Sequence, residues 1–222
     1  MRLVAKFALG LTLLAPILMA GASVPAQQSP KVVESKGIEV GKAPYLIVAT
    51  SVCGPLEKEQ PFDPTTYGSV RGYAPVRSLH PPVVLYTTAL TPEFFQLATA
   101  LDKLVEKDPT WANAMVIVSD EKGAQRGGYG TEELLERRKS ISQLAKKHHI
   151  THLSFFLSAQ GAKSVAPRLE LSDKQDLLLA VLDNRTKSDR NVPVLSVQRL
   201  ESSKITAESS KKIVDTLAMP KD

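Results

Sequence analysis

Cysteine is nearly absent. Cys53 is the only one in 222 residues, so the chain can form no internal disulfide and carries no Cys-x-x-Cys pair. A lone thiol is either packed and inert, the usual fate of an unpaired cysteine, or reactive and able to join a partner through a mixed disulfide. Neither a histidine nor a helix start adjoins Cys53 to favour the thiolate, which makes the inert reading the preferred one. Charge of one sign is also missing. Lys and Arg number 28 against 23 Asp and Glu, a formal +5, and removing Arg2 and Lys6 of the N-terminal segment leaves +3. These charges alternate along the chain without a basic block, which excludes a nucleic-acid footprint. No Gly-x-Ser-x-Gly elbow selects a serine nucleophile, and no P-loop or dinucleotide fingerprint occurs, so no cofactor is expected.

Long apolar runs are confined to the beginning. Met1 to Lys6 is short and basic, Phe7 to Ala20 is apolar but too short to span a bilayer comfortably, and Ala20-Gly21-Ala22 or Val24-Pro25-Ala26 offers a cleavage site. Residues 1–26 are expected to be a cleaved signal peptide, with the mature chain exported to the periplasm or outside and holding no membrane segment. Residues 27–42 are polar, with Pro30 and Gly37, and read as a flexible tether. A single domain is expected over 43–219.

That domain is organised around Pro82 to Val105. Val83 to Thr88 is a β-branched, apolar run that suits a strand covered on both faces. Thr91-Pro92-Glu93 then starts a helix: Thr91 caps, Pro92 has no amide hydrogen to leave unpaired, and Glu93 meets the positive end of the dipole. Phe94, Leu97, Ala98, Leu101, Leu104 and Val105 form one apolar stripe, and Asp108-Pro109 ends it.

The rest alternates in the same way. Pro44 to Val52 reads as a strand, followed by the Gly54-Pro55 turn and a long Pro/Gly loop over 56–81. Asn113 to Ser119 and His152 to Leu157 read as strands. The helix between them begins at Thr131 and turns Leu134, Leu135, Ile141, Leu144 and Ala145 inward. Leu177 to Leu182 and Val192 to Val197 make an antiparallel hairpin, its second strand an edge because Pro193 cannot donate to a ladder. Thr206 caps a last helix. The order β-α-β-α-β-β-β-α over 83–218 predicts an α/β fold, with a central mixed sheet flanked by helices and preceded by an N-terminal strand and long loop.

This order resembles the thioredoxin fold over roughly residues 40–219. Leu90-Thr91-Pro92-Glu93 occupies the place of Cys-x-Pro-Cys, with the proline kept and Leu90 and Glu93 standing for the two cysteines. The peroxiredoxin motif Thr-x-x-Cys is matched by Thr87-Thr88-Ala89-Leu90, again ending in leucine. The resemblance implies that thiol chemistry is lost at this corner. It also implies that Ser154 stands where thioredoxins place a cis-proline beside the dithiol. The chain is further similar to a group of exported bacterial thioredoxin-like proteins, here lacking the Cys-x-x-Cys motif. Cys53-Gly54-Pro55 resembles their Gly-Pro turn, and Thr66-Tyr67-Gly68-Ser69 matches their cysteine motif with Thr66 and Ser69 in place of the thiols.

Other constellations admit a plain reading beside the chemical one. His148, His149 and His152 could ligate a metal, but no neighbouring carboxylate or thiol completes a site, and none is expected. Gly127-Gly128-Tyr129-Gly130 could hold an anion ahead of a helix or serve as a connector. Tyr67, Arg71, Tyr73 and Arg77 are residue types found at contact hot spots, and the same loop could instead pack on its own domain. The reading that follows is a non-catalytic module binding an envelope protein or peptide through Tyr67, Arg71, Tyr73, Arg77, Leu90, Pro92 and Glu93. The alternative is a one-cysteine redox or peroxide-handling protein acting through Cys53.

Overall fold

The computed structural model describes residues 38–42, 49–56, 82–120, 131–158, 169–172, 174–183 and 193–218. The expected signal peptide, the tether up to residue 37, the loop carrying Tyr67, Arg71, Tyr73 and Arg77, and the Gly127–Gly130 connection lie outside them.

Among the described residues six strands form one sheet. They are β1 (Thr50–Cys53), β2 (Val83–Thr87), β3 (Met115–Ser119), β4 (Ser154–Ser158), β5 (Leu177–Leu182) and β6 (Val194–Leu200), in the order β1-β4-β3-β2-β5-β6. β2, β3 and β4 run parallel, while β5 joins β2, β6 joins β5 and β1 joins β4 antiparallel. The expected α/β class and mixed sheet are therefore present. Every residue of β2, β3 and β4 is buried, the apolar centres of the strands as a sheet covered on both faces requires and Thr87, Ser119, Ser154 and Ser158 at their ends with them. β6 is an edge, and Pro193 falls just before it, where its missing amide hydrogen breaks no ladder bond.

Among the described residues three helices, α1 (Pro92–Lys107), α2 (Thr131–Lys147) and α3 (Ala207–Ala218), pack on one face of this sheet. The chain steps in one direction from β2 to β3 to β4, and crossovers of the same hand put both intervening helices on the same side. Their core holds Val83, Leu85, Val116, Val118, Phe155 and Leu157 from alternate strand positions. The opposite face buries Val84, Tyr86, Met115, Ile117 and Phe156 beneath Ile38, Leu56, Leu169 and Leu171. Among the described residues, no helix is long and apolar enough to cross a membrane.

Local chemistry accounts for the helix ends. Thr91 Oγ1 accepts the Phe94 amide at 3.1 Å, and Pro92 is the first helical residue. α2 ends with His149 at φ 54°, the Ile150 amide donating back to Ala145 and the His149 amide to Lys146. That is a Schellman closure with histidine in the left-handed position usually given to glycine.

The structure moves some sequence expectations. Leu135, assigned to the inner face of α2, is 40% exposed, while Arg138 takes the inward position one turn after Leu134 and donates from Nε to the Ser51 carbonyl at 2.8 Å. Residues 38–42, the end of the expected tether, are held to the domain. Ile38 is buried, and Gly41 and Lys42 exchange backbone hydrogen bonds with Val194 at 2.8 and 3.0 Å.

Candidate functional site

The corner between β2 and α1 is closed by its own hydrogen bonds. Thr87 Oγ1 donates to the Ala89 carbonyl at 2.6 Å and accepts the Ala89 amide at 3.1 Å. The Thr88 amide donates to the Asp176 carbonyl at 3.1 Å. Asp176 is buried, and its carboxylate accepts the amide and hydroxyl of Ser202 at 2.7 and 2.5 Å, tying the corner to the 3-10 turn Ser202–Lys204. Leu90 packs partly buried against the helix-side core, Glu93 is half-buried, and Pro92 is exposed. The corner thus presents a proline and helix start, with an aliphatic side chain turned inward.

Ser154 does not stand beside this corner. It begins β4 in register with Met115 and, through β3, with Val84, at the end of the sheet away from Thr87. The strand antiparallel to β2 is β5, so Asp176, preceding β5, is the residue next to Thr88. Ser154 Oγ instead accepts the Leu56 amide at 3.0 Å. Sequence order alone gave no sign of which later strand would neighbour β2.

Cys53 ends β1 opposite Phe155 and is half-buried against the helix-side core. Register carries it through Phe155 and Val116 to Leu85, three strand spacings from β2, or about 14 Å across the sheet. The corner lies further along still, beyond Thr87. After Cys53, Gly54 has φ +109°, and a Cβ there would sit 2.5 Å from the Leu153 carbonyl oxygen, so this turn requires glycine.

The three histidines have separate surroundings. His148 stacks on Phe95, ring centroids 4.2 Å apart and planes 3° from parallel. Burial, reinforced by the charges of Lys147 and His149, lowers its pKa from the ordinary 6.5. His149 occupies the helix closure, and His152 places Nδ1 3.2 Å from Asp102 Oδ2. Among the described residues, no group of three His, Cys, Asp or Glu side chains could hold a metal ion.

A groove of about 800 Å³ runs between α1 and α3. Pro92 opens it, Phe95 and Val214 provide apolar floor, and His148 lies at its side. Lys103 and Lys107 of α1 face it across from Lys211 and Asp215 of α3. Ser210 also lines it, 1% exposed, with an Oγ that has no hydrogen-bond partner among the described residues. Of the expected binding residues in the described part, Pro92 alone lines the groove, while Leu90 and Glu93 do not. The lysines, Ser210 and Phe95 were missed because each reads as ordinary helix surface or core in its own segment, and α1 and α3 are far apart in sequence. The Lys103–Lys107 spacing, one turn apart on one helix face, was the available signal.

No family model matches the chain, and no curated protein matches it. A solved structure described as a thioredoxin-like protein in the oxidized form, determined in solution, is similar over 62% of this chain and 79% of its own. Identity is 14% and the TM-score 0.36. The fold class rests on the architecture itself: a β-α-β-α-β run and an antiparallel hairpin on either side of a buried central strand, with helices packed against the sheet, a thioredoxin-like α/β fold.

Proposed function

We propose that the chain is an exported, non-catalytic binding module that holds a protein or peptide of the cell envelope on a thioredoxin-like scaffold. The observation that carries this reading is the separation of the sole cysteine from the helix corner. Cys53 stands three strand spacings away, about 14 Å across the sheet. Leu90 and Glu93, which occupy the places of the reactive pair, cannot form a thiolate, so neither disulfide exchange nor peroxide attack has a nucleophile there. The basic and apolar N-terminal run supports export. Pro92 belongs both to the corner and to the α1–α3 groove, and this continuity favours binding along the helical face.

The test uses the mature chain and its Cys53→Ser variant. Both should leave disulfide substrates and hydrogen peroxide at the uncatalysed rate. Immobilised on a support, both should retain the same envelope proteins through a wash with reductant. Turnover that disappears in Cys53→Ser, or partners released by reductant alone, would overturn the reading in favour of one-cysteine redox chemistry.

A further inference from the structure

Among the described residues, the groove between α1 and α3 has cations without counter-ions and a buried hydroxyl without a partner. Lys103, Lys107 and Lys211 are exposed, and none makes an ion pair among the described residues. Asp215 is the single acid on the lining, so three positive charges face one negative. Lys103 and Lys107 lie one helical turn apart, about 6 Å between Cβ atoms, and Lys211 answers them from the other wall. Between these rims the floor is apolar, and Phe95 is held flat by its stack with His148. Ser210 Oγ adds one donor, and leaving it buried and unpaired is unfavourable until an acceptor arrives.

We propose that this groove takes an acidic peptide segment, laying an apolar side chain on the Phe95–Val214 floor and presenting carboxylates to Lys103, Lys107 and Lys211. The assignment rests on the binding role proposed above and names the chemistry of its ligand. A second copy of this chain would bring the same lysines against themselves, because an isologous contact pairs each patch with its own kind. Single-stranded nucleic acid needs a succession of aromatic faces for its bases, and the groove lining carries Phe95 as its one aromatic ring besides His148. An acidic, partly apolar peptide meets the charge, the floor and the unsatisfied Ser210 hydroxyl together.

The experiment is fluorescence anisotropy of the mature chain with a labelled peptide alternating glutamate and leucine, its glutamine counterpart and its lysine counterpart. The glutamate peptide should bind, the glutamine peptide about tenfold more weakly for the loss of its exposed charge contacts to the three lysines, and the lysine peptide not at all. The double variant Lys103→Glu, Lys211→Glu should abolish binding of the glutamate peptide while circular dichroism and Tm stay at the parent values, since both side chains are solvent-exposed. Ser210→Ala should weaken it about threefold, one modest hydrogen bond. Equal binding of the glutamine peptide overturns the acidic assignment and leaves the binding module standing. A free fatty acid that binds as tightly as the glutamate peptide overturns the peptide as the ligand and leaves the carboxylate site standing. Failure of all three peptides, with envelope proteins still retained by the charge-reversed chain, overturns the groove as the site. Loss of that retention as well in the unaltered chain overturns the module itself.

Discussion

The carboxylate of Asp102 accepts three successive backbone amides, from Thr151, His152 and Leu153, at 2.6 to 3.2 Å, and the His152 ring lies against it. It is 5% exposed and sits on α1, so it fastens the entry of β4 to the helix that opens the corner. Asp102→Ala would leave these amides facing a void, and the cost should be about 2–4 kcal/mol, read as a shift of the urea midpoint with unchanged slope. Asp102→Asn keeps one acceptor oxygen and should lose less. A shift below about 0.5 kcal/mol for the alanine variant would show that water replaces the carboxylate. His148 gives a second residue-scale expectation. Its lowered pKa means the folded chain binds fewer protons there than the unfolded one as pH falls. Its contribution is therefore complete above 6.5 and lost as pH drops through the lower folded value. The Tm of the parent relative to His148→Gln should fall from about pH 7.5 to about pH 5, and parallel curves would refute the depressed titration.

At the scale of the element, α2 separates what pattern can say from what it cannot. Leu134 is fully buried and Leu135 is 40% exposed, although both are leucines in the same turn. Leu134→Ala should cost about 2–5 kcal/mol in denaturant unfolding, as buried leucines do. Leu135→Ala should stay within about 0.5–1 kcal/mol, and equal losses would place both side chains inside. The helix itself was legible because its apolar residues recur with helical period, yet the stripe was drawn one residue too wide. Arg138 could not be read as inward, since the Ser51 carbonyl that its guanidinium reaches belongs to an edge strand distant in sequence. Asp102 was hidden in the same way, as a charge one position after Leu101 whose acceptors come from beyond residue 150. β5 was found with its bounds because Leu177 to Leu182 is an unbroken apolar run flanked by polar residues. β4 starts two residues later than expected, because the amides of 151–153 are taken by Asp102 and not by a strand.

At the largest scale, the described sheet with α1, α2 and α3 on one face fixes where stability resides. β2 is hydrogen-bonded on both sides, to β3 and β5, and none of its residues exceeds 1% exposure. β6 pairs with β5, and most of its residues are half-buried. α3 contributes Ile213, Val214 and Leu217 to the core only partly buried, with Ser210 its one fully covered polar side chain. The helix that forms one wall of the groove is therefore the less firmly held wall. Amide hydrogen exchange should rank these elements: Val84, Leu85 and Tyr86 exchange only through global unfolding, while α3 and the outer amides of β6 open locally at lower free energy. An acidic peptide seated between α1 and α3 would then slow α3 and leave β2 unchanged, because a ligand suppresses only the openings that destroy its site. Uniform protection across β2, β6 and α3 would mean that the groove wall moves with the sheet, and binding would have to come from a rigid, preformed surface.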